Sequence, residues 1–216
     1  MIEPSVVEGF RAVAIASVAD ALDRATGRRC YMDHAIKNRT NGARMVGPAV
    51  TVLHGPSLET LPPQGALDQL DAAPAGSVVC IGLHGGVDVA VWGGLMSAAA
   101  RARGLAGAVL DAGVRDLGEI RRDHDLPVFA RFVSPGSTVG RVATIAKDVP
   151  VAVGGLVVRP GDLVVADEDG VCVVPPEHAA AVLAAARDID AREADQARLI
   201  LAERSFAAGM ARYGRI

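Results

Sequence analysis

Short apolar segments bounded by glycines constrain the fold of this chain more than any other feature. SVVCIG (77–82) and LAGAVLDA (105–112) have the length and continuous apolar character of buried strands. The Ala-rich segment LMSAAARAR (95–103) lies between them and favours a helix. This order predicts a β-loop-α-β unit, and therefore an α/β protein.

Two further segments predict how the N-terminal part is built. Ser17 followed by Asp20 has the pattern of a capping box, and Gly27 is typical of a helix end. MVGPAVTVL (45–53) predicts the first strand, and its Pro48 favours a sheet edge or a bulge. We therefore expect a short N-terminal helix followed by a peripheral strand.

The C-terminal half predicts hairpins and then one long helix. Residues 150–175 alternate apolar runs with the turn signals Gly154-Gly155, Pro160-Gly161 and Asp169-Gly170, which favours antiparallel pairing. Residues 176–213 are Ala-rich and have apolar positions three or four apart, which predicts one long helix broken at most once. With no internal repeat and no flexible linker, we expect a single domain over 1–216, a mixed sheet, and 176–213 as its C-terminal helical extension.

Composition excludes several classes of protein. The 22 Lys and Arg residues are balanced by 25 Asp and Glu residues, and seven aromatic residues (four Phe, two Tyr, one Trp) leave little for stacking on bases, so no nucleic-acid partner is expected. The longest apolar run, VPVAVGGLVV, is too short for a membrane span. The three cysteines form no CxxC motif, and MIEPSVVEGF is unlike a secretory signal. We expect a cytoplasmic protein with buried thiols.

The glycine-rich loop that enters the second predicted helix is the first candidate site. Gly93, Gly94, Leu95 and Met96 lie where backbone N–H groups have no partner inside the helix, so they can hold a carboxylate or a phosphate. An equally common alternative is a turn whose glycines only let the helix pack closely on the sheet.

Other known motifs are absent. The loop lacks the G-x-G-x-x-G and Walker spacings, which disfavours NAD, ATP and a methyltransferase with a glycine-rich first loop. The five histidines have no paired spacing for zinc, and there is no G-x-S-x-G elbow. The two lysines, Lys37 and Lys147, lie in loop-like sequence, which disfavours Schiff-base chemistry.

Arg115 and Asp116, directly after LAGAVLDA, form the second candidate site. Ligands of parallel α/β proteins bind beyond the carboxyl ends of strands, so this pair and the Gly93 loop are expected to face one pocket. Arginine offers a planar fork to a carboxylate, and aspartate is a hard oxygen ligand for Mg²⁺ or Mn²⁺. The alternative is an ordinary solvated surface pair.

Taken together, these segments resemble one family from about Ser17 to Pro175. The segments that carry the resemblance are VADALDR, ARMVGPAVTV, AVWGGLMSAAARARGLAGAVLDAGVRDLGEI, PVFARFVSP and VVRPGDLVVADEDGVCVVP. The family joins the class II, metal-dependent 4-hydroxy-4-methyl-2-oxoglutarate aldolases to the regulator of ribonuclease activity A. It implies a single compact domain of the swivelling β/β/α type, assembled as a trimer or a hexamer with active sites between subunits.

The resemblance also implies roles for particular residues. Backbone N–H groups of Gly93–Met96 would bind a pyruvyl carboxylate, Arg115 the substrate, and Asp116 the Mg²⁺ or Mn²⁺ ion. Glu193, on the C-terminal helix of a neighbouring subunit, would be a further acidic group. One departure is that many aldolases of this family carry an acidic residue where this sequence has Gly94.

The implied function is a divalent-metal-dependent lyase. It would cleave a 4-hydroxy-2-oxoacid, decarboxylate oxaloacetate, or do both, in each case through the enolate of pyruvate. The alternative is a non-catalytic, protein-binding regulator of ribonuclease activity. Such regulators typically lose the metal-binding aspartate, whereas this chain keeps Asp116, which favours the enzyme.

Overall fold

The computed structural model describes residues 2–213. The α-helices within this range are α1 (Pro4–Gly9), α2 (Ile15–Thr26), α3 (Gln64–Ala72), α4 (Gly94–Ala102), α5 (Leu117–Glu119), α6 (Ala179–Glu203) and α7 (Phe206–Tyr213). The strands are β1 (Lys37–Asn38), β2 (Met45–Pro56), β3 (Val78–Leu83), β4 (Ala90–Trp92), β5 (Gly107–Val114), β6 (Val128–Val133), β7 (Val142–Lys147), β8 (Val151–Val153), β9 (Leu156–Val158), β10 (Leu163–Asp167) and β11 (Gly170–Val174). A π-helical turn (Ile120–His124) continues α5, and a 3₁₀ turn (Pro176–His178) precedes α6.

Within residues 2–213, nine strands form one mixed sheet. Its main order is β1-β6-β5-β3-β2-β10-β11, with β4 beside β5 and β7 beside β2. Strands β2, β3, β5 and β6 are parallel to one another, and β4 is parallel to β5. Antiparallel pairs join β1 to β6, β7 and β10 to β2, and β11 to β10. The β8–β9 hairpin is separate. The α/β class, the mixed sheet and the antiparallel hairpins after residue 150 are therefore confirmed.

The segment 30–38 nearly closes this sheet. Tyr31 forms an isolated bridge with Cys172 of β11, and the Met32 N–H donates to the Val171 carbonyl at 2.9 Å. A few residues later the same segment forms β1, which pairs with β6 at the other end of the strand order. One short stretch of chain therefore contacts both outer strands.

The central strands are buried on both faces, which explains their continuous apolar sequences. Ile81 and Leu110 belong to the cluster under α3 and α4, whereas Cys80 and Val109, one residue earlier in each strand, belong to the cluster facing the β8–β9 hairpin. All four are fully buried. Successive side chains point to opposite faces of a strand, so both faces need apolar residues.

The long C-terminal helix packs on α2 and is broken once, as expected. Val182, Leu183, Ala186 and Ile189 of α6 are buried in the cluster that contains α2. Arg204 adopts a left-handed conformation (φ 48°) and separates α6 from α7. Neither of these helices, nor any other in the described range, has the length and apolar character to cross a membrane.

The capping-box prediction at Ser17 is wrong. Helix α2 begins at Ile15, and Ser17 is buried inside it without capping the helix. The N–H of Ala14, just before the helix, instead donates to Asp190 Oδ2 of α6 at 3.0 Å. A hydrogen bond between residues 176 positions apart therefore stands in place of the predicted local capping interaction.

The prediction that Pro48 marks an edge or a bulge is also wrong, because β2 lies inside the sheet. The next residue, Ala49, donates its N–H to the Asp162 carbonyl on the β10 side at 2.8 Å. The nitrogen of Pro48 therefore faces β3, and pairing with β3 begins only at Ala49. Proline is tolerated here because the hydrogen bond it cannot make is not required.

Candidate functional site

The two candidate segments leave the sheet side by side. Trp92, the last residue of β4, pairs with Val114, the last residue of β5, in a parallel ladder. The next residues are Gly93 and Arg115, and the Arg115 N–H donates to the Trp92 carbonyl at 3.0 Å. The two candidate segments therefore lie next to each other, as expected. Strand β4, which the sequence did not predict, brings them together.

Buried contacts hold the start of α4 in place. Gly93 is the residue before the helix, and both the N–H and the hydroxyl of Ser97 donate to its carbonyl at 3.0 Å. The Trp92 indole N–H donates to the Ser97 hydroxyl at 2.8 Å, and Trp92 is only 1% exposed. The first turn of α4 thus rests on a buried, fully hydrogen-bonded support.

Asp116 joins the two segments through its side chain. Its Oδ2 accepts the Gly94 N–H at 3.0 Å and lies 3.4 Å from Arg115 Nε. Asp116 has a left-handed backbone (φ 60°, ψ 33°), a conformation that non-glycine residues rarely adopt and that is enriched at functional sites. The side chains of Arg115 and Asp116 remain 43% and 39% exposed, so a small ligand can reach both.

Several donors beside this carboxylate remain available. The N–H groups of Leu95 and Met96 have no partner within residues 2–213, and neither have the terminal nitrogens of Arg115. All of these donors belong to a helix start or a guanidinium, both of which favour anions. The arrangement can hold a small carboxylate between α4 and Arg115.

A side chain at Gly93 or Gly94 would displace an acidic side chain of the site. A Cβ on Gly93 would lie 2.6 Å from Asp116 Oδ2, and a Cβ on Gly94 would lie inside the volume of the Glu119 carboxylate. Both contacts are with acidic side chains of the neighbouring loop, not with the sheet. Packing of α4 against the sheet alone therefore does not explain these glycines.

Glu119 and His124 were missed by the sequence analysis. The Glu119 carboxylate lies over the start of α4, and its Oε1 is 3.5 Å from His124 Nε2. In an ordinary α-helix, residues five apart do not share a face. The π-helical turn from Ile120 to His124 changes that spacing, and such turns occur often at functional sites.

The described residues contain no cluster of three or more His, Cys, Asp or Glu side chains placed to hold a metal ion. A cation at Asp116 would therefore rely on one or two carboxylates together with water, which is how proteins often bind Mg²⁺. The hard oxygen donors of the Asp116 carboxylate fit such an ion in kind.

Glu193 lies elsewhere in the chain. It lines a groove between α2, α6 and α7 together with Asp20, Arg24 and Tyr213. None of the groove residues belongs to the Gly93–Asp116 site. Within one chain Glu193 is therefore not brought to Asp116, and its contribution from a neighbouring subunit stays a prediction.

The cysteines offer no nucleophile. Cys30, Cys80 and Cys172 are all buried free thiols, as expected. Burial raises the pKa of Cys80 well above its usual range and that of Cys172 to about 12. Both thiols are therefore protonated near neutral pH, and a protonated thiol is a poor nucleophile.

Comparisons with known proteins agree with this fold. The chain is 30% identical over 207 residues to a protein of Halalkalibacterium halodurans named "Putative 4-hydroxy-4-methyl-2-oxoglutarate aldolase", covering 91% of each. It is 31% identical over 164 residues to Protein DlpA of Legionella pneumophila, where the match covers 74% of this chain but 26% of that protein. The chain thus spans about a quarter of the length of that relative.

A solved structure and a family description extend the comparison. Streptomyces coelicolor RraAS2, titled an unusual member of the RNase ES inhibitor RraA protein family, superposes with a TM-score of 0.79 at 27% identity, over 88% of this chain and 94% of that one. The RraA-like family, described as Aldolase/RraA, matches residues 15–173, which include both candidate segments. The chain therefore belongs to the RraA-like family.

Proposed function

We propose that this chain is a divalent-metal-dependent lyase that forms pyruvate from a 4-hydroxy-2-oxoacid, from oxaloacetate, or from both. The observation that carries the proposal is the convergence of Asp116, Arg115 and the first turn of α4 at the end of β4 and β5. The aldolase name of the Halalkalibacterium halodurans relative supports a lyase.

Both reactions break the bond between C3 and C4 of the substrate. In aldol cleavage the 4-hydroxyl loses its proton and C4 leaves as a carbonyl product, whereas in decarboxylation C4 leaves as CO₂. In each case the electron pair of the broken bond passes to pyruvate as its enolate, and C3 then takes up a proton. A bound Mg²⁺ or Mn²⁺ ion would supply a Lewis acid that polarises the 2-oxo group.

The residues of the chain bind and orient this substrate. Asp116 would hold the cation, and its hydrogen bond from Gly94 keeps the carboxylate in place. The free terminal nitrogens of Arg115 would grip one substrate carboxylate, and the open N–H groups of Leu95 and Met96 would contact the pyruvyl carboxylate. Removing one such donor from a comparable anion site typically lowers the rate about 10²- to 10³-fold.

The proposal includes a homo-oligomer, a trimer or a hexamer, with the site at a subunit boundary. Leu95, at the site, is apolar and 85% exposed in the single chain. A contact with a second copy would cover it, and Glu193 of that copy is the acidic group that we expect there.

The test is an assay of pyruvate release, coupled to lactate dehydrogenase, with Mg²⁺, with Mn²⁺ and with a chelator. We expect metal-dependent turnover, and we expect Asp116→Ala to lower it at least about 100-fold with an unchanged circular-dichroism spectrum. The matched control is Asp123→Ala, because Asp123 is an acidic residue of the nearby π-helical turn whose carboxylate pairs with Arg122. No pyruvate from either substrate, or full activity in Asp116→Ala, would refute the proposal.

The likeness to RraAS2 favours a second candidate, a protein-binding regulator of a ribonuclease. A pull-down of a purified ribonuclease of the RNase E type by this chain, run beside the pyruvate assay, separates the two. Stable binding with no turnover would establish the regulator in place of the lyase.

A further inference from the structure

The Glu119 carboxylate occupies a position that no ordinary surface glutamate has. All three atoms of the carboxylate lie within the space that a Cβ on Gly94 would fill, so the group rests directly on the first residue of α4. Gly94 also donates its N–H to Asp116 Oδ2. Two carboxylates therefore flank one helix residue, with that of Asp116 beside the guanidinium of Arg115.

His124 lies beside the Glu119 carboxylate. His124 Nε2 lies 3.5 Å from Glu119 Oε1, and it is a buried nitrogen with no hydrogen-bond partner within residues 2–213. The His124 side chain is 16% exposed, whereas that of Glu119 is 43% exposed. His124 is therefore the more buried of the two side chains, and the Glu119 carboxylate beside Gly94 is the one that a small ligand can reach.

Aldol cleavage requires a group that first accepts a proton and then returns it. The 4-hydroxyl proton must leave as the C3–C4 bond breaks, and a proton must then reach C3 of the enolate. Asp116 is already engaged by Gly94 and Arg115, and Arg115 is a permanent cation that cannot accept a proton. Among the side chains that contact this helix start, Glu119 is the acidic group left for the task.

We propose that Glu119 is a catalytic residue of this site that accepts the 4-hydroxyl proton during C–C cleavage and returns it to C3 of the pyruvate enolate. The proposal rests on the lyase function above. The proton lost by the hydroxyl is the one gained by C3, the bond pair becomes the enolate pair, and no further reactant is needed. Loss of CO₂ from oxaloacetate releases no hydroxyl proton, so it does not need the first of these two transfers.

This difference gives the test. We expect Glu119→Gln to lower kcat for aldol cleavage at least about 100-fold, while oxaloacetate decarboxylation falls no more than about 10-fold. The matched control is Glu8→Gln, because Glu8 is an exposed glutamate of α1 paired with Arg11, and we expect no change in either reaction. A structural role for Glu119 would lower both reactions together, and equal losses would overturn the proposal.

A second pair of variants moves the carboxylate from position 119 to position 94. Glu119→Gly empties the space next to Gly94, and the double variant Glu119→Gly, Gly94→Asp places a new carboxylate there. We expect the double variant to recover at least about 10-fold of the aldolase activity that Glu119→Gly loses. No recovery in a folded double variant would count against a catalytic carboxylate at this point.

The outcomes also separate the two proposals. If the unmodified protein releases no pyruvate from either substrate, the lyase function itself fails. If it releases pyruvate and Asp116→Ala does not, but Glu119→Gln cleaves the aldol substrate at the normal rate, only the role of Glu119 fails.

Discussion

His54 makes the stability of this protein depend on pH in a way that can be worked out from its surroundings. The side chain is fully buried in β2, and neither ring nitrogen has a hydrogen-bond partner within residues 2–213. Burial lowers the pKa of His54 from 6.5 to about 4, although the backbone of Ala143 beside it acts in the opposite direction. The imidazole is therefore neutral in the folded protein at pH values where it is charged in the unfolded chain.

The sign follows from proton binding. Above pH 6.5 His54 is neutral in both the folded and the unfolded protein, so it adds no pH dependence to the free energy of unfolding. Between pH 6.5 and about 4 the unfolded chain binds more protons than the folded protein, so stability falls as the pH falls. Each pKa unit corresponds to about 1.4 kcal/mol, which gives a loss of about 2 kcal/mol by pH 5 and about 3 kcal/mol below pH 4.

The measurement is urea unfolding at a fixed protein concentration between pH 7.5 and 4.5, comparing the protein with His54→Leu. We expect the free energy of unfolding of the variant to rise relative to the parent by about 2 kcal/mol from pH 7.5 to 5. His84→Leu, at an exposed histidine, is the control and should keep the parental pH dependence. A constant difference between His54→Leu and the parent across this pH range would refute the reasoning.

Two further predictions concern the support of the site. Gly93→Ala places a Cβ 2.6 Å from Asp116 Oδ2. It should therefore displace that carboxylate and lower metal-dependent pyruvate release at least about 10-fold without unfolding the chain, and unchanged activity in the coupled assay would contradict this geometry. Ser97→Ala leaves the buried indole N–H of Trp92 without its acceptor. The free energy of unfolding should fall by about 1–3 kcal/mol in urea, and a loss below about 0.5 kcal/mol would show that the indole finds another partner.

Local sequence patterns predicted the parts of this fold whose neighbours are equally local. The buried faces of α6 and the hairpin turns after residue 150 follow from spacing and from glycine, and the structure confirms them. The start of α2 was predicted wrongly, because the carboxylate that accepts the Ala14 N–H belongs to Asp190 in α6, far away in the sequence. Pro48 was misplaced for the same reason, since its role depends on where β3 begins to pair.

The candidate site also combines residues that the sequence predicted with features that it did not. Gly93, Gly94, Arg115 and Asp116 could be selected because each follows an apolar strand and has the chemistry of an anion or cation ligand. β4 is too short to be recognised inside a glycine-rich loop, although it sets the register of both segments. Glu119 was missed because its position depends on a π-helical turn, which has no simple sequence pattern.

The stretch from Cys30 to Asn38 protects both ends of the main sheet at once. Outer strands present unpaired backbone groups to which other chains can add, and proteins that leave them bare tend to aggregate. Here one linker bonds to β11 at its beginning and to β6 at its end. Loss of this one segment would therefore leave the edges of β11 and β6 unpaired together and would favour association of one molecule with another through them.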